Sequence, residues 1–214
     1  MPAGAISIAA SADASNIGTE AGNAVATANV DGAVYQFATG ATSATVVLDN
    51  TGSLTVDATA SAVAAAGNAT ASAVIGSTEG GVGISQSATA SGGPATVTLT
   101  NASTGVLSLT ADASADGAHD AFADAQISTG IRQFASGNEA TVTLTNNGTL
   151  TLAASADATG GILAGDTAYG TATVGVGISQ SAIGSTVTLA NSGTISITAT
   201  GTASGALAQG IGVI

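Results

Sequence analysis

Apolar and polar residues alternate with a period of two along most of this chain. In residues 140–184, Val142 and Leu144 share one parity, with Thr141, Thr143 and Thr145 on the other. Asn146-Asn147-Gly148 interrupts as a turn or bulge signal. Leu150, Leu152, Ala154, Ala156 and Ala158 then share a face opposite Thr149, Thr151, Ser155, Asp157 and Thr159, until Gly160-Gly161 breaks the run. After a short connection, Ala168, Gly170, Ala172, Val174, Val176, Ile178, Gln180 and Ala182 share a face. This alternation and the Thr/Val/Ile content predict strands. Helix competes in the Ala-rich residues 59–73 and 111–125, because Ala favours helix. The Ser, Thr, Asp and Gly interspersed there are poor in helix interiors. Asp112, Asp116, Asp120 and Asp124 would also form a repulsive i, i+4 row on a helix.

The pattern recurs. Thr45-Val46-Val47-Leu48-Asp49-Asn50 returns as Thr96-Val97-Thr98-Leu99-Thr100-Asn101, as Thr141-Val142-Thr143-Leu144-Thr145-Asn146 and as Thr186-Val187-Thr188-Leu189-Ala190-Asn191. A second clause centres on Gln36, Gln86, Gln133 and Gln180. The asparagines lie 51, 45 and 45 residues apart and the glutamines 50, 47 and 47. A fixed period of this length marks a solenoid, propeller or array. Residues 1–214 read as a single array, with repeats at about 1–43 (partial), 44–94, 95–139, 140–184 and 185–214 (partial).

Within each repeat the apolar side chains change size in order. One side runs Val, Leu, turn, Leu, Leu, Ala, Ala, Ala; the other runs Ala, Gly, Ala, Val, Val, Ile, Gln, Ala. Folded back at Gly160-Gly161, Ala meets Ala at a narrow end and Leu meets Val and Ile in the middle. The predicted fold is all-β: a parallel β-solenoid with a flattened two-sheet coil and 45–50 residues per repeat. Stacked layers would lie about 4.8 Å apart and the array would rise roughly 20 Å. A repeat of two shorter coils is the open alternative.

Composition narrows the function. Apolar residues make up 45% of the chain but aromatics only 2%, so its core must be thin. Thirteen Asp and Glu stand against one basic residue, Arg132, for a net charge of −12. That excludes phosphate-directed nucleic-acid binding and attraction to anionic lipid. It suits solubility and deters lateral association. Cysteine is absent, which removes disulfides and thiolate metal sites. No apolar run is long enough for a membrane-spanning helix. Met1-Pro2-Ala3-Gly4-Ala5 carries no basic start to a leader peptide. The chain opens partway into a repeat and closes halfway through another, so it reads as a mature chain or an excised piece.

Stacking would place equivalent residues in columns. Gln36, Gln86, Gln133 and Gln180 have inward parity, and stacked amides can bond along the axis. Asn50, Asn101, Asn146 and Asn191 are expected to shape a corner. Outward Thr columns, starting at Thr45 and Thr96, resemble ice-binding surfaces but are interrupted by Val47, Asp49 and Ala190. The residues flanking each Gln alternate between large and small, and Tyr35, Phe37 and Phe134 are candidate assembly contacts. Asp112, Asp116, Asp120 and Asp124, beside His119, are weak candidates for calcium, better read as solvated carboxylates. No catalytic triad, phosphate loop or zinc spacing is present, so no enzyme is expected and no cofactor beyond that calcium. One Arg and no Lys also make a polysaccharide lyase a poor reading.

Asn50-Thr51-Gly52-Ser53-Leu54-Thr55-Val56, Asn146-Asn147-Gly148-Thr149-Leu150-Thr151-Leu152 and Asn191-Ser192-Gly193-Thr194-Ile195-Ser196-Ile197 resemble the Asn-x-Gly-Thr-Ile clauses of bacterial autotransporter passengers and large repetitive adhesins. The resemblance covers nearly the whole chain. It implies a secreted, cell-surface β-solenoid with no catalytic residues. The membrane β-barrel of autotransporters and a recognisable cap are not found here. The expected role is structural and extracellular: a segment of an adhesin stalk, or a filament subunit whose partner is a second copy. Ice binding, and a carbohydrate-binding or phage-fibre module with a glycan or host surface as partner, are the alternatives.

Overall fold

The computed structural model describes residues 4–18, 22–76, 81–161 and 163–214. Most of Met1-Pro2-Ala3-Gly4-Ala5, on which the leader argument turns, lies outside them. Among the described residues the regular structure is all β, and sixteen strands follow one another in a fixed order. They are β1 (Ala5–Asn16), β2 (Ala24–Val30), β3 (Val34–Gly40), β4 (Ala44–Asn50), β5 (Ser53–Ala64), β6 (Ala69–Ile75), β7 (Ile84–Ala90) and β8 (Pro94–Asn101). Then come β9 (Val106–Gly117), β10 (Ala121–Ser136), β11 (Glu139–Asn146), β12 (Thr149–Thr159), β13 (Thr167–Ile183), β14 (Thr186–Asn191), β15 (Thr194–Ser204) and β16 (Leu207–Val213).

The strands form three sheets. Sheet I has the order β1-β5-β9-β12-β15, and sheet III the order β14-β11-β8-β4. Sheet II has the order β16-β13-β10-β6-β2, with β7 beside the second half of β10 and β3 beyond β7. All the pairings are parallel, and each joins a strand to its equivalent one sequence repeat away: Ala121 pairs with Ala69 on one side and Ala168 on the other.

The expected two sheets are three. The side that runs from Val142 to Ala158 is divided at Asn146, with β11 in sheet III and β12 in sheet I. The physical cause is the asparagine corner. Asn146 is buried, and its amide donates to the Thr194 carbonyl of the next layer, holding the bend between the two strands.

The core follows the predicted sizes. Its larger part lies between sheets I and II, with Leu107, Leu109, Leu150 and Leu152 against Ile75, Ile84, Ile127 and Ile131, all fully buried. It tapers into Ala58, Ala60 and Ala62 against Ala69, Ala71 and Ala73. A smaller part packs Ala88 and Ala135 against Ala95, Val97, Ala140 and Val142 of sheet III. At the thin end the sheets approach so closely that a Cβ on Gly170 would strike the Thr202 and Ala156 carbonyl oxygens. One predicted parity fails in the middle of β13. Val176 is 43% exposed, while a Cβ on Gly177 would meet the partly buried Ile197 side chain. The alternation is interrupted at Gly175-Val176-Gly177 and resumes with Ile178 and Gln180 inward, as glycine in a strand permits.

Candidate functional site

Three polar ladders run along the stacking direction. In the first, Gln86 and Gln133 are buried, and Gln36 and Gln180 partly so. Gln86 Nε2 donates to Gln36 Oε1 at 2.7 Å, Gln133 Nε2 to Gln86 Oε1 at 2.9 Å and Gln180 Nε2 to Gln133 Oε1 at 2.8 Å. Each amide also donates across the core to sheet III, to the carbonyls of Val47, Thr98, Thr143 and Thr188 in turn. The second ladder runs in the opposite sense. Asn50 Nδ2 donates to Asn101 Oδ1, Asn101 to Asn146 and Asn146 to Asn191, at 2.8, 2.7 and 2.7 Å. The other Nδ2 protons reach the Val106, Thr149 and Thr194 carbonyls. Among the described residues no buried side-chain nitrogen or oxygen lacks a partner.

The third ladder was not anticipated. The Asn68 backbone N–H donates to Asn23 Oδ1, that of Asp120 to Asn68 Oδ1, and both the N–H and hydroxyl of Thr167 to Asp120 Oδ1. The legible signal was a short polar residue just before an Ala at the start of four sheet II strands, Asn23-Ala24 in β2, Asn68-Ala69 in β6 and Asp120-Ala121 in β10, with Thr167-Ala168 opening β13. The two bonds from Thr167, the backbone one first, hold the Asp120 carboxyl below its ordinary range.

The acidic set is not brought to one point. Asp112 and Asp116 point outward from β9 in sheet I, Asp124 outward from β10 in sheet II, and Asp120 sits in the corner between. No group of three His, Asp or Glu able to hold a metal forms among the described residues. Partial burial raises the Asp112 carboxyl, with a smaller contribution from Asp57; partial burial alone raises Asp124. His119 lies 3.5 Å from Asp166, and its side chain is half-exposed.

The outward Gln-flanking residues do assemble. Tyr35 pairs in register with Ser85, Ser85 with Arg132 and Arg132 with Ser179; Phe37, Ser87, Phe134 and Ser181 align likewise. Tyr35 and Phe37 are 65% and 72% exposed, and Phe134 is half-buried. Together they line an open groove of about 290 Å³. On the first half of sheet II, Phe122 and Tyr169 stack with ring centres 5.8 Å apart and planes 5° from parallel. That pair was not singled out from the sequence, although both residues stand at equivalent outward positions.

The Thr columns are in register on sheet III: Thr45, Thr96, Thr141 and Thr186; Val47, Thr98, Thr143 and Thr188; Asp49, Thr100, Thr145 and Ala190. Among the described residues no helix is long and apolar enough to cross a membrane. No family model matches the chain, and no curated protein or solved structure matches it.

Proposed function

We propose that this chain is a β-solenoid of one flattened coil per sequence repeat, serving as an extracellular structural element of a bacterial cell surface. One observation carries the reading: every strand pairs in parallel with its equivalent one sequence repeat away, so that Val142 and Leu144 are sealed between register partners on either side. A stack of this kind offers a long surface and an axis, as a segment of a stalk or as the subunit of a filament of stacked copies.

The experiment is electron microscopy of the purified chain and of two copies fused in tandem. The stalk reading expects short rods that lengthen with the tandem chain, and the filament reading expects fibres at micromolar concentration. Globular particles of unchanged length would overturn both. Antibody labelling of intact bacteria displaying the chain tests the location; labelling only after permeabilisation would overturn it.

The Thr lattice of sheet III supports a second reading, ice binding. Thermal hysteresis that vanishes in Thr143→Lys would establish it, and none in the parent chain would remove it.

A further inference from the structure

The groove on the outer face of the second half of sheet II has a built asymmetry. Its walls belong to layers two strands apart, Tyr35 and Phe37 on one side and Arg132 and Phe134 on the other; its floor is Ser85 and Ser87. Two strand spacings separate the walls by about 9.6 Å, which leaves a slot about one ring thick. The Tyr35 ring lies over Gly32, close enough that any Cβ there would meet it. Arg132 is the chain's sole Arg or Lys, against thirteen acidic side chains. It is exposed, and among the described residues no carboxylate lies within ion-pair distance of it. No Asp or Glu occupies β3, β7 or residues 132–136 of β10. This face therefore presents a guanidinium with no carboxylate on the strand residues around it.

We propose that this groove is a subsite for a carboxylate-bearing sugar residue of a glycan chain. Each part of the groove matches one part of that ligand. A guanidinium takes a carboxylate through two parallel hydrogen bonds, a geometry Lys does not reproduce. Aromatic faces pack on the apolar face of a sugar ring while leaving its hydroxyls free. Serine hydroxyls both donate and accept, as sugar hydroxyls require. The volume of about 290 Å³ holds a ring or two, at the low end for ligand sites. Nucleic acid would need many cations. A second copy of the chain would bring a further net charge of −12 against this one. The inference stands whether the molecule is a stalk or a filament.

The test is NMR titration of the whole chain with a uronate tetrasaccharide and with the neutral tetrasaccharide of the corresponding hexose. The uronate should shift the amide signals of Ser85, Ser87, Arg132 and Phe134, and bind at least about tenfold more tightly than the neutral probe. Arg132→Gln and Phe134→Ala should each weaken it about tenfold, Arg132→Lys less, and Asp157→Asn, on sheet I, not at all. These positions face outward, and circular dichroism confirms that each variant folds. No shift at about 10 mM uronate, or equal binding by Arg132→Gln, would overturn the proposal. So would sedimentation showing that Arg132→Gln abolishes self-association while the sugar has no effect, since the groove is then a contact between copies. Rods seen by microscopy without sugar binding would remove only this inference.

Discussion

A glutamine amide buried in an apolar core needs partners for two donors and an acceptor, and one stacked column supplies them. In the middle of the ladder, Gln133 donates to Gln86 and Thr143 and accepts from Gln180. Gln133→Leu should therefore cost about 2–3 kcal/mol, because the Gln86 acceptor is left buried and unpaired. Gln180→Leu likewise strips the Gln133 acceptor of its donor, but at a half-buried end of the ladder where water can replace it, and should cost only about 1 kcal/mol. Denaturant midpoints measure both, and equal losses would mean that the ladder is not what holds the core polar groups. The carboxylates give a pH signature. Burial raises Asp112 and Asp124, so their charged forms are penalised in the folded state. The folded chain binds those protons more tightly, and this penalty disappears as pH falls through the raised values. Asp120 acts in the reverse sense: its lowered value contributes stability above pH 3.8 that is lost below it. Asp112→Asn should raise the Tm at pH 7 and leave it unchanged near pH 3; a Tm gain of the same size at both would refute the assignment.

At the level of the element, close approach governs which residues a strand tolerates. Gly170 in β13 faces the backbone of β12 and β15 with no room for a methyl. Gly170→Ala should destabilise by about 3 kcal/mol, at the upper end of overpacking costs because backbone must move. Gly4, with nothing within 4 Å of its added Cβ, is the control, and Gly4→Ala should be silent within about 0.5 kcal/mol. Thermal unfolding of the two variants decides it. Strand positions, inward parity and the two amide columns were legible along the chain, because alternation and repetition are local properties. The interruption at Gly175-Val176-Gly177 was not, because Val alternates there as if the strand were straight. Nor was the division of one side into two sheets, since Asn146-Asn147-Gly148 reads equally as a bulge or a corner until the Asn146 amide has a partner.

At the scale of the whole molecule, net charge opposes what open edges favour. Unpaired strands at the ends of three parallel sheets template further pairing, and a charge of −12 repels a second copy. Association should therefore rise as pH approaches the isoelectric point near 4.1 and as salt screens the charge. Light scattering across pH and salt measures this, and association indifferent to both would show that edges and charge play no part.

Period and parity were enough, read along the chain alone, to call for an all-β stack whose layers repeat with the sequence, because every layer must bury the same face against its neighbours. They also placed Gln36, Gln86, Gln133 and Gln180 in one column. Only the tertiary structure decided which way each ladder of amides points and that Asn23, Asn68 and Asp120 form a third. It alone set Arg132 and Phe134 across a slot from Tyr35 and Phe37. Those outcomes depend on the register between strands nearly fifty residues apart, and no local pattern can specify a distance across that gap.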